Sequence, residues 1–137
     1  MIFFKKRENN DDNQLIKVGA LLIHAAKIDE DFSKEEENII KRTLLNFGAV
    51  NKKINEIFEK AKKMEENSNQ ILDFTKEVKN MEENNKIKIV KTLWKIIFSN
   101  KKADIYEANL MRRLAGLLYI DSKIMGDIKE QIRSENL

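Results

Sequence analysis

The 137-residue sequence has no cysteine, no proline, only four glycines and a single histidine. Without cysteine, disulfides, thiolate metal sites and thiol nucleophiles are excluded, and a reducing compartment is permitted. Without proline and with so few glycines, long helices can run unbroken, and an all-β fold is disfavoured. The one histidine, His24, lies among apolar neighbours, which predicts a residue in or at the edge of the core; a metal ligand or a catalytic base is the alternative.

The sequence also lacks a long apolar run. No stretch approaches the roughly 20 apolar residues that a membrane-spanning helix needs. The first seven residues place apolar side chains before basic ones, the reverse of a secretory signal. We therefore expect a cytoplasmic protein. Residues 1–11 are predicted to be a mobile tail. The alternative is a tail that contacts a membrane surface or a partner through three apolar and three basic side chains, those of Ile2, Phe3, Phe4, Lys5, Lys6 and Arg7.

The composition indicates one soluble helical domain over residues 12–137, with 42% hydrophobic and 36% charged residues. The net charge of +3, from 26 basic and 23 acidic residues, is too small to argue for a nucleic-acid partner. Lys88, Lys91 and Lys95 follow helical spacing on the solvent side of a predicted helix and could contact phosphates. Three lysines are fewer than a nucleic-acid footprint needs, so we expect no nucleic-acid partner.

A pattern of helix-capping residues occurs twice, 71 residues apart. Ser33 with Glu36, and Asp104 with Glu107, both fit the capping box. In that motif the oxygen of the first residue accepts from an N–H of the first turn, and the Glu reaches back. Apolar residues around the two boxes recur at the same offset. A helix, a polar turn and a capped helix therefore occur twice, which predicts two pseudo-repeated helical hairpins.

Hydrophobic spacing predicts an all-α fold. The predicted helices number about seven and span about residues 12–28, 33–47, 51–65, 68–81, 86–99, 104–119 and from 121 or 122 onward. Gly48 is predicted to end the second helix in a left-handed conformation, and Asn84 with Asn85 is predicted to form a turn. The first and fifth helices are the most apolar, which predicts that they pack side by side at the centre.

The repeated segments resemble the TerB-like tellurite-resistance domains. In that family a small residue, an Ala and an Asp-Gly pair precede an aliphatic residue, an Asp or Ser, and a Glu, and the pattern occurs twice. Residues 26–36 look like the first copy. Residues 93–97 are similar to the family's leucine-tryptophan segment before the second copy, and residues 110–118 to the helix after it. Residues 73–75 resemble a segment between the copies, so the similarity covers nearly the whole chain and implies a TerB-like bundle.

The first acidic turn offers oxygen ligands for a cation. Asp29, Asp31 and Glu36 are close enough in sequence to surround one hard cation, which prefers several oxygens. An EF-hand is rejected, because its sixth position holds Lys34 rather than Gly and its twelfth holds Ile40 rather than Glu. Helix capping explains the same acidic residues with fewer assumptions.

The resemblance implies a divalent cation, Ca²⁺ or Mg²⁺, at the acidic turns of both copies. Carried over by position, the candidate ligands are Asp29 and Glu36 in the first copy, and Asn100 and Glu107 in the second. Glu30 and Lys101 stand where the family has glycines, and Asn100 stands in place of a carboxylate. These differences remove easy access to positive φ and one negative charge, which should weaken cation binding.

The resemblance also implies the function that we expect. It is a non-catalytic adaptor or sensor domain in the response to tellurite or other toxic ions, with a membrane-associated protein partner at the inner membrane surface. The alternative is a metal-dependent enzyme that uses the carboxylates of the acidic turn. No nucleophile with an activating base is recognisable in the sequence, and the glycines are too sparse for a phosphate-binding loop, so we expect no catalytic residue.

Overall fold

A computed structural model describes residues 2–28, 32–68, 71–99 and 105–135, and the side chains of residues 12–28, 32–68, 71–99 and 107–135. Within these ranges the fold is all-α, with seven α-helices and no strand, as the sequence predicts. The helices are α1 (Ile2–Ala26), α2 (Lys34–Asn46), α3 (Ile54–Glu66), α4 (Leu72–Lys79), α5 (Glu83–Ser99), α6 (Ile105–Leu117) and α7 (Ser122–Glu135), and a 3₁₀ turn (Asn51–Lys53) precedes α3.

Three of the predicted helices have wrong boundaries. Helix α1 begins at Ile2 rather than near residue 12, so residues 2–11 continue the first helix; that this segment is mobile stays a prediction. Helix α4 is shorter at both ends than the predicted span. Asn84 and Asn85, predicted as a turn, lie in the first turn of α5. Asn and Asp compete with a helix only when their side chains bond the backbone, and sequence alone does not show whether they do.

Helix α1 is the central helix of the bundle. It contacts α2, α3, α4 and α5, and its contact with α5 agrees with the predicted central pair. Between residues 15 and 26, the buried apolar side chains of α1 lie on nearly every face of the helix, which is the pattern of a buried helix. Gly19 allows the close approach of α3, because a Cβ at this position would lie 3.0 Å from the Cβ of Ala61. None of the helices that the structure describes has the length and hydropathy to cross a bilayer.

The repeat at 71 residues is visible in the backbone. Helices α2 and α6 both have 13 residues, and their first and last residues are each 71 positions apart. Both helices end in the same pair of hydrogen bonds, the Schellman motif. In α2 the N–H of Ala49 donates to the carbonyl of Leu44 at 3.0 Å, and in α6 the N–H of Ile120 donates to that of Ala115 at 2.9 Å.

The repeat extends beyond the predicted helical hairpin to a third helix. Helix α3 follows α2 as α7 follows α6, and buried residues correspond at the same offset. Ile57 corresponds to Ile128, and Ala61 to Ile132. Helix α4 joins the two units and packs against α1 and α6. The fold therefore consists of α1–α3 and α5–α7, which we call the first and second units.

Candidate functional site

The predicted site residues fall partly outside the described part of the chain. Asp29 and Asp31 of the first acidic turn are outside it, as are Asn100 and Asp104 of the second. So are the side chains of the proposed membrane or partner contact, those of Ile2, Phe3, Phe4, Lys5, Lys6 and Arg7. Ser33, Glu36 and Glu107 are described, and they give the geometry of the site.

Ser33 and Glu36 form the predicted capping box. Ser33 has an extended backbone, with φ −86° and ψ 162°, and precedes the first residue of α2. The N–H of Glu36 donates to Ser33 Oγ at 3.1 Å, and the N–H of Ser33 donates to Glu36 Oε1 at 2.8 Å. Two N–H groups at the helix start are thereby satisfied. The predicted role of Ser33 as a helix cap is confirmed.

Phe32 anchors the end of the first turn to the rest of the molecule. Its ring centroid lies 6.3 Å from that of Phe58 on α3, with the ring planes tilted by 59°. Aromatic pairs at this separation and tilt are favourable beyond the area that they bury. The residue before the cap is thus held against α3, which fixes the direction in which the chain enters α2. No local pattern in the sequence indicates that these two rings meet.

The Glu of each box is buried. The exposed fraction is 1% for Glu36 and 3% for Glu107, whereas most of the other acidic side chains that the structure describes are exposed. Burying a carboxylate is costly unless hydrogen bonds or opposite charges compensate it. Neither carboxylate is without a partner. The repeat thus places one buried acidic group in the first turn of α2 and another in the first turn of α6.

A group of side chains at the end of α1 lies next to the first turn. Glu65 of α3 is only 11% exposed, and its Oε1 accepts from Lys27 Nζ at 2.7 Å. Its Oε2 lies 3.3 Å from His24 Nδ1. His24 is 35% exposed, which agrees with the predicted histidine at the edge of the core. The sequence carries no local signal of these contacts, because Glu65 is 38 residues from Lys27 and 41 residues from His24.

The described residues do not assemble a metal site by themselves. Among the side chains that the structure describes, no group of three or more His, Cys, Asp or Glu is close enough together to hold a metal ion. Glu36 and Glu107 are present, and the other predicted ligands lie outside the described residues. The cation site at the acidic turns stays a prediction.

A comparison with protein-family models supports the resemblance. The model described as "Tellurite resistance protein TerB" matches residues 15–130. The match spans most of the chain and includes both acidic turns, both capping boxes and helices α2 to α6. No curated protein and no solved structure matches the chain.

Proposed function

Because the chain belongs to the TerB family of tellurite resistance proteins, we propose that it is a non-catalytic adaptor or sensor domain in the response to tellurite or other toxic ions. The observation that carries this proposal is the use of the acidic turn in helix capping. Glu36 accepts a backbone hydrogen bond at 2.8 Å and is buried, so its main task is to begin a helix. An activated catalytic carboxylate would instead need access to a substrate.

The proposal includes a weak divalent-cation site at the acidic turns. Two buried carboxylates at corresponding positions, Glu36 and Glu107, support it, since hard cations prefer carboxylate oxygens. Glu30, Lys101 and Asn100 oppose it, because they replace glycine and carboxylate positions of the family. We therefore expect weak binding of Ca²⁺ or Mg²⁺, dominated by the first turn.

Calorimetric titration of Ca²⁺ and Mg²⁺ into the protein tests the cation site. Glu36→Gln is the informative variant, because Gln at this position can still complete a capping box while the negative charge is lost. Glu35→Gln is the matched control, since Glu35 is exposed in the same helical turn and loses the same charge. Heat that vanishes in Glu36→Gln and persists in Glu35→Gln supports the site. No heat at millimolar metal in the unaltered protein rules it out.

We also propose that the domain acts in the cytoplasm, together with a protein partner at the inner membrane surface. The family resemblance and the apolar-basic order of residues 1–7 support this proposal. Sedimentation with anionic liposomes tests it, comparing the full chain with a chain that lacks residues 1–7. Loss of sedimentation on deletion supports a membrane contact, and equal sedimentation of the two chains removes it.

A catalytic role would have a different signature. If the turn is structural, Asp29→Asn combined with Glu36→Gln should lower stability through the loss of negative charge at the start of α2, since Gln can still complete the capping box, and should leave capture of the partner intact. An enzyme would lose turnover in this double variant with its stability largely unchanged. Measuring both stability and partner capture in the same variant separates the two functions.

A further inference from the structure

A cavity of about 160 Å³ opens between α2 and α5, away from the acidic turns. One wall comes from the second half of α2 and the other from the middle of α5. The lining side chains are basic, polar and apolar: Ile39, Arg42, Thr43, Asn46, Phe47, Lys88, Lys91, Thr92 and Lys95. We call this cavity the basic groove. Its volume is sufficient for a compact anionic group and too small for a folded partner.

The basic groove concentrates positive charge without any acidic residue. Arg42 contributes from α2, and Lys88, Lys91 and Lys95 contribute from α5. None of these four side chains has an ion pair with another described residue. By contrast, Lys41 on a neighbouring face of α2 is paired with a carboxylate at 3.0 Å. Like charges three and four residues apart on a helix repel each other, so the lysine stripe lowers stability unless an anion compensates it.

The repeat accounts for only part of this charge. At the 71-residue offset, Lys88 and Lys95 of α5 correspond to Lys17 and His24 of α1, whereas Lys91 corresponds to a fully buried alanine. Lys17 and His24 lie 3.9 Å and 3.3 Å from a carboxylate oxygen, so both have an acidic neighbour. The stripe on α5 differs from α1 in having a third basic residue and no acidic residue among the side chains that line the groove with it.

The floor of the basic groove is polar. Thr43 and Thr92 are buried, and their hydroxyl oxygens lie 3.0 Å apart. Thr43 Oγ1 is also 3.0 Å from the carbonyl of Ile39, and Thr92 Oγ1 is 3.0 Å from that of Lys88. The two hydroxyl groups have only two hydrogens for these three contacts, so either hydroxyl can be the donor in the contact between them. One hydroxyl can therefore donate to an anion in the groove while it accepts from the other hydroxyl, so that the hydrogen bond between α2 and α5 is kept.

We propose that the basic groove binds a phosphate group with two or more negative charges, carried by a soluble organic phosphate or by a phospholipid headgroup. Arg42 can hold two phosphate oxygens at once, and the lysines supply point charges around them. Ile39 and Phe47 form an apolar wall that the organic part of the ligand can contact. A single groove with four cations suits one phosphate or diphosphate better than a nucleic-acid backbone, which needs a longer positive surface.

Pyrophosphate is the probe, titrated into the ¹⁵N-labelled full chain at low ionic strength and observed by NMR. The groove variant is Lys91→Gln with Lys95→Gln. The control variant is Lys52→Gln with Lys123→Gln, two exposed lysines outside the groove that remove the same charge. We expect saturable shifts of amides at the groove, affinity at least about tenfold weaker in the groove variant, and affinity nearly unchanged in the control.

Phosphatidylcholine vesicles with and without phosphatidic acid form the second arm of the experiment. Sedimentation with phosphatidic acid vesicles that the groove variant loses identifies a lipid headgroup, and pyrophosphate binding without vesicle binding identifies a soluble phosphate. Equal losses of binding in the groove and control variants, or no binding of either probe to the unaltered protein, would overturn the proposal. This outcome is independent of the adaptor role proposed above, because it concerns a different surface.

Discussion

The two units of the fold end their second helices with the same hydrogen bonds but with different side chains. Helices α2 and α6 both end in a Schellman motif, which contains one residue with positive φ. In the first unit this residue is Gly48, with φ 108°; in the second it is Tyr119, with φ 57°. Only glycine adopts such values at little cost. The repeat therefore conserves the hydrogen bonds of the turn and tolerates a strained residue to keep them.

The helix contacts of the two units differ in the same way. Helix α3 approaches α1 at Gly19 and Ala61, the two smallest residues available. The corresponding positions in α5 and α7 carry Val90 and Ile132, both buried. Small residues permit close packing of two helices, and larger ones fill a wider space between them. The two units therefore share the hydrogen bonds at the ends of α2 and α6, whereas the sizes of the residues between their packed helices differ.

The largest expected effect tests the close contact in the first unit. Gly19→Val should destabilise the protein by about 2 kcal/mol, because overpacking a core without space typically costs this much. A Cβ at Gly19 would meet Ala61 at 3.0 Å and Leu44 at 3.4 Å. Urea denaturation measures the change.

Gly116→Ala is the control for this substitution. Gly116 lies in α6, and a Cβ there meets nothing within 4 Å. Alanine should therefore raise the stability by up to about 1 kcal/mol through helix propensity. If Gly19→Val and Gly116→Ala change the stability equally, the close contact between α1 and α3 is not the reason for Gly19.

The next effect tests the cap of the first unit. Ser33→Ala should cost about 1 kcal/mol, since it removes the acceptor for the Glu36 N–H at the start of α2. Ser33→Asp keeps an acceptor oxygen and should cost much less. Thermal denaturation of the two variants measures the difference. Equal losses would show that the hydroxyl does not contribute as a cap.

A smaller effect of opposite sign tests the strained turn of the second unit. Tyr119→Gly should stabilise the protein by about 0.5 kcal/mol, because relief of positive φ outweighs the loss of an exposed cation–π contact. That contact places Lys79 Nζ 5.0 Å from the ring centroid of Tyr119, whose exposed fraction is 72%.

Gly48→Ala is the reciprocal change in the first unit. It should destabilise by about 1 kcal/mol, although the space around Gly48 is open, because its backbone is strained for alanine. Urea denaturation of both variants measures the pair. If the two substitutions changed the free energy of unfolding in the same direction, the inference that the positive φ strains Tyr119 would be wrong.

The smallest effect concerns a pH dependence on α2. The hydrogen bond from Lys34, and a second from Lys41, hold the pKa of Glu37 below its ordinary value, against a smaller opposing effect of burial. A lowered carboxyl pKa contributes stability above the unfolded pKa, and that stability is lost as pH falls through the folded pKa. We expect a contribution of a few tenths of a kcal/mol, typical of pairs within one helix.

NMR titration of the side-chain carboxyl measures the pKa of Glu37. Lys41→Gln should raise it at least as much as Lys34→Gln, because Lys34 is 78% exposed and screened by water, whereas Lys41 is 23% exposed. A pKa of Glu37 at the ordinary value of a glutamate would contradict the expected effect.

Much of the fold was predictable because its signals are local. The first capping box, the glycine at the end of α2 and the apolar spacing of α5 each involve residues within a few positions of one another. The start of α1 was not predictable, since the polar residues 8–12 resemble a helix start although they lie inside a helix.

The candidate sites were less predictable because they depend on which helix faces meet. The lysine stripe of α5 was visible in the sequence, but Arg42 and Thr43 join it only when α2 packs on α5. Likewise, Glu65 meets His24 only because α3 lies against α1. Hydrophobic spacing shows which face of a helix is buried, and it does not show which neighbour covers it.

The central claim is that one capped unit occurs twice, and Asp104→Ala tests it most directly. Asp104 lies outside the described residues, and the repeat predicts that it caps α6 as Ser33 caps α2. Chemical denaturation should then show a loss of about 1 kcal/mol, close to that of Ser33→Ala. A stability equal to that of the unaltered protein would contradict the claim.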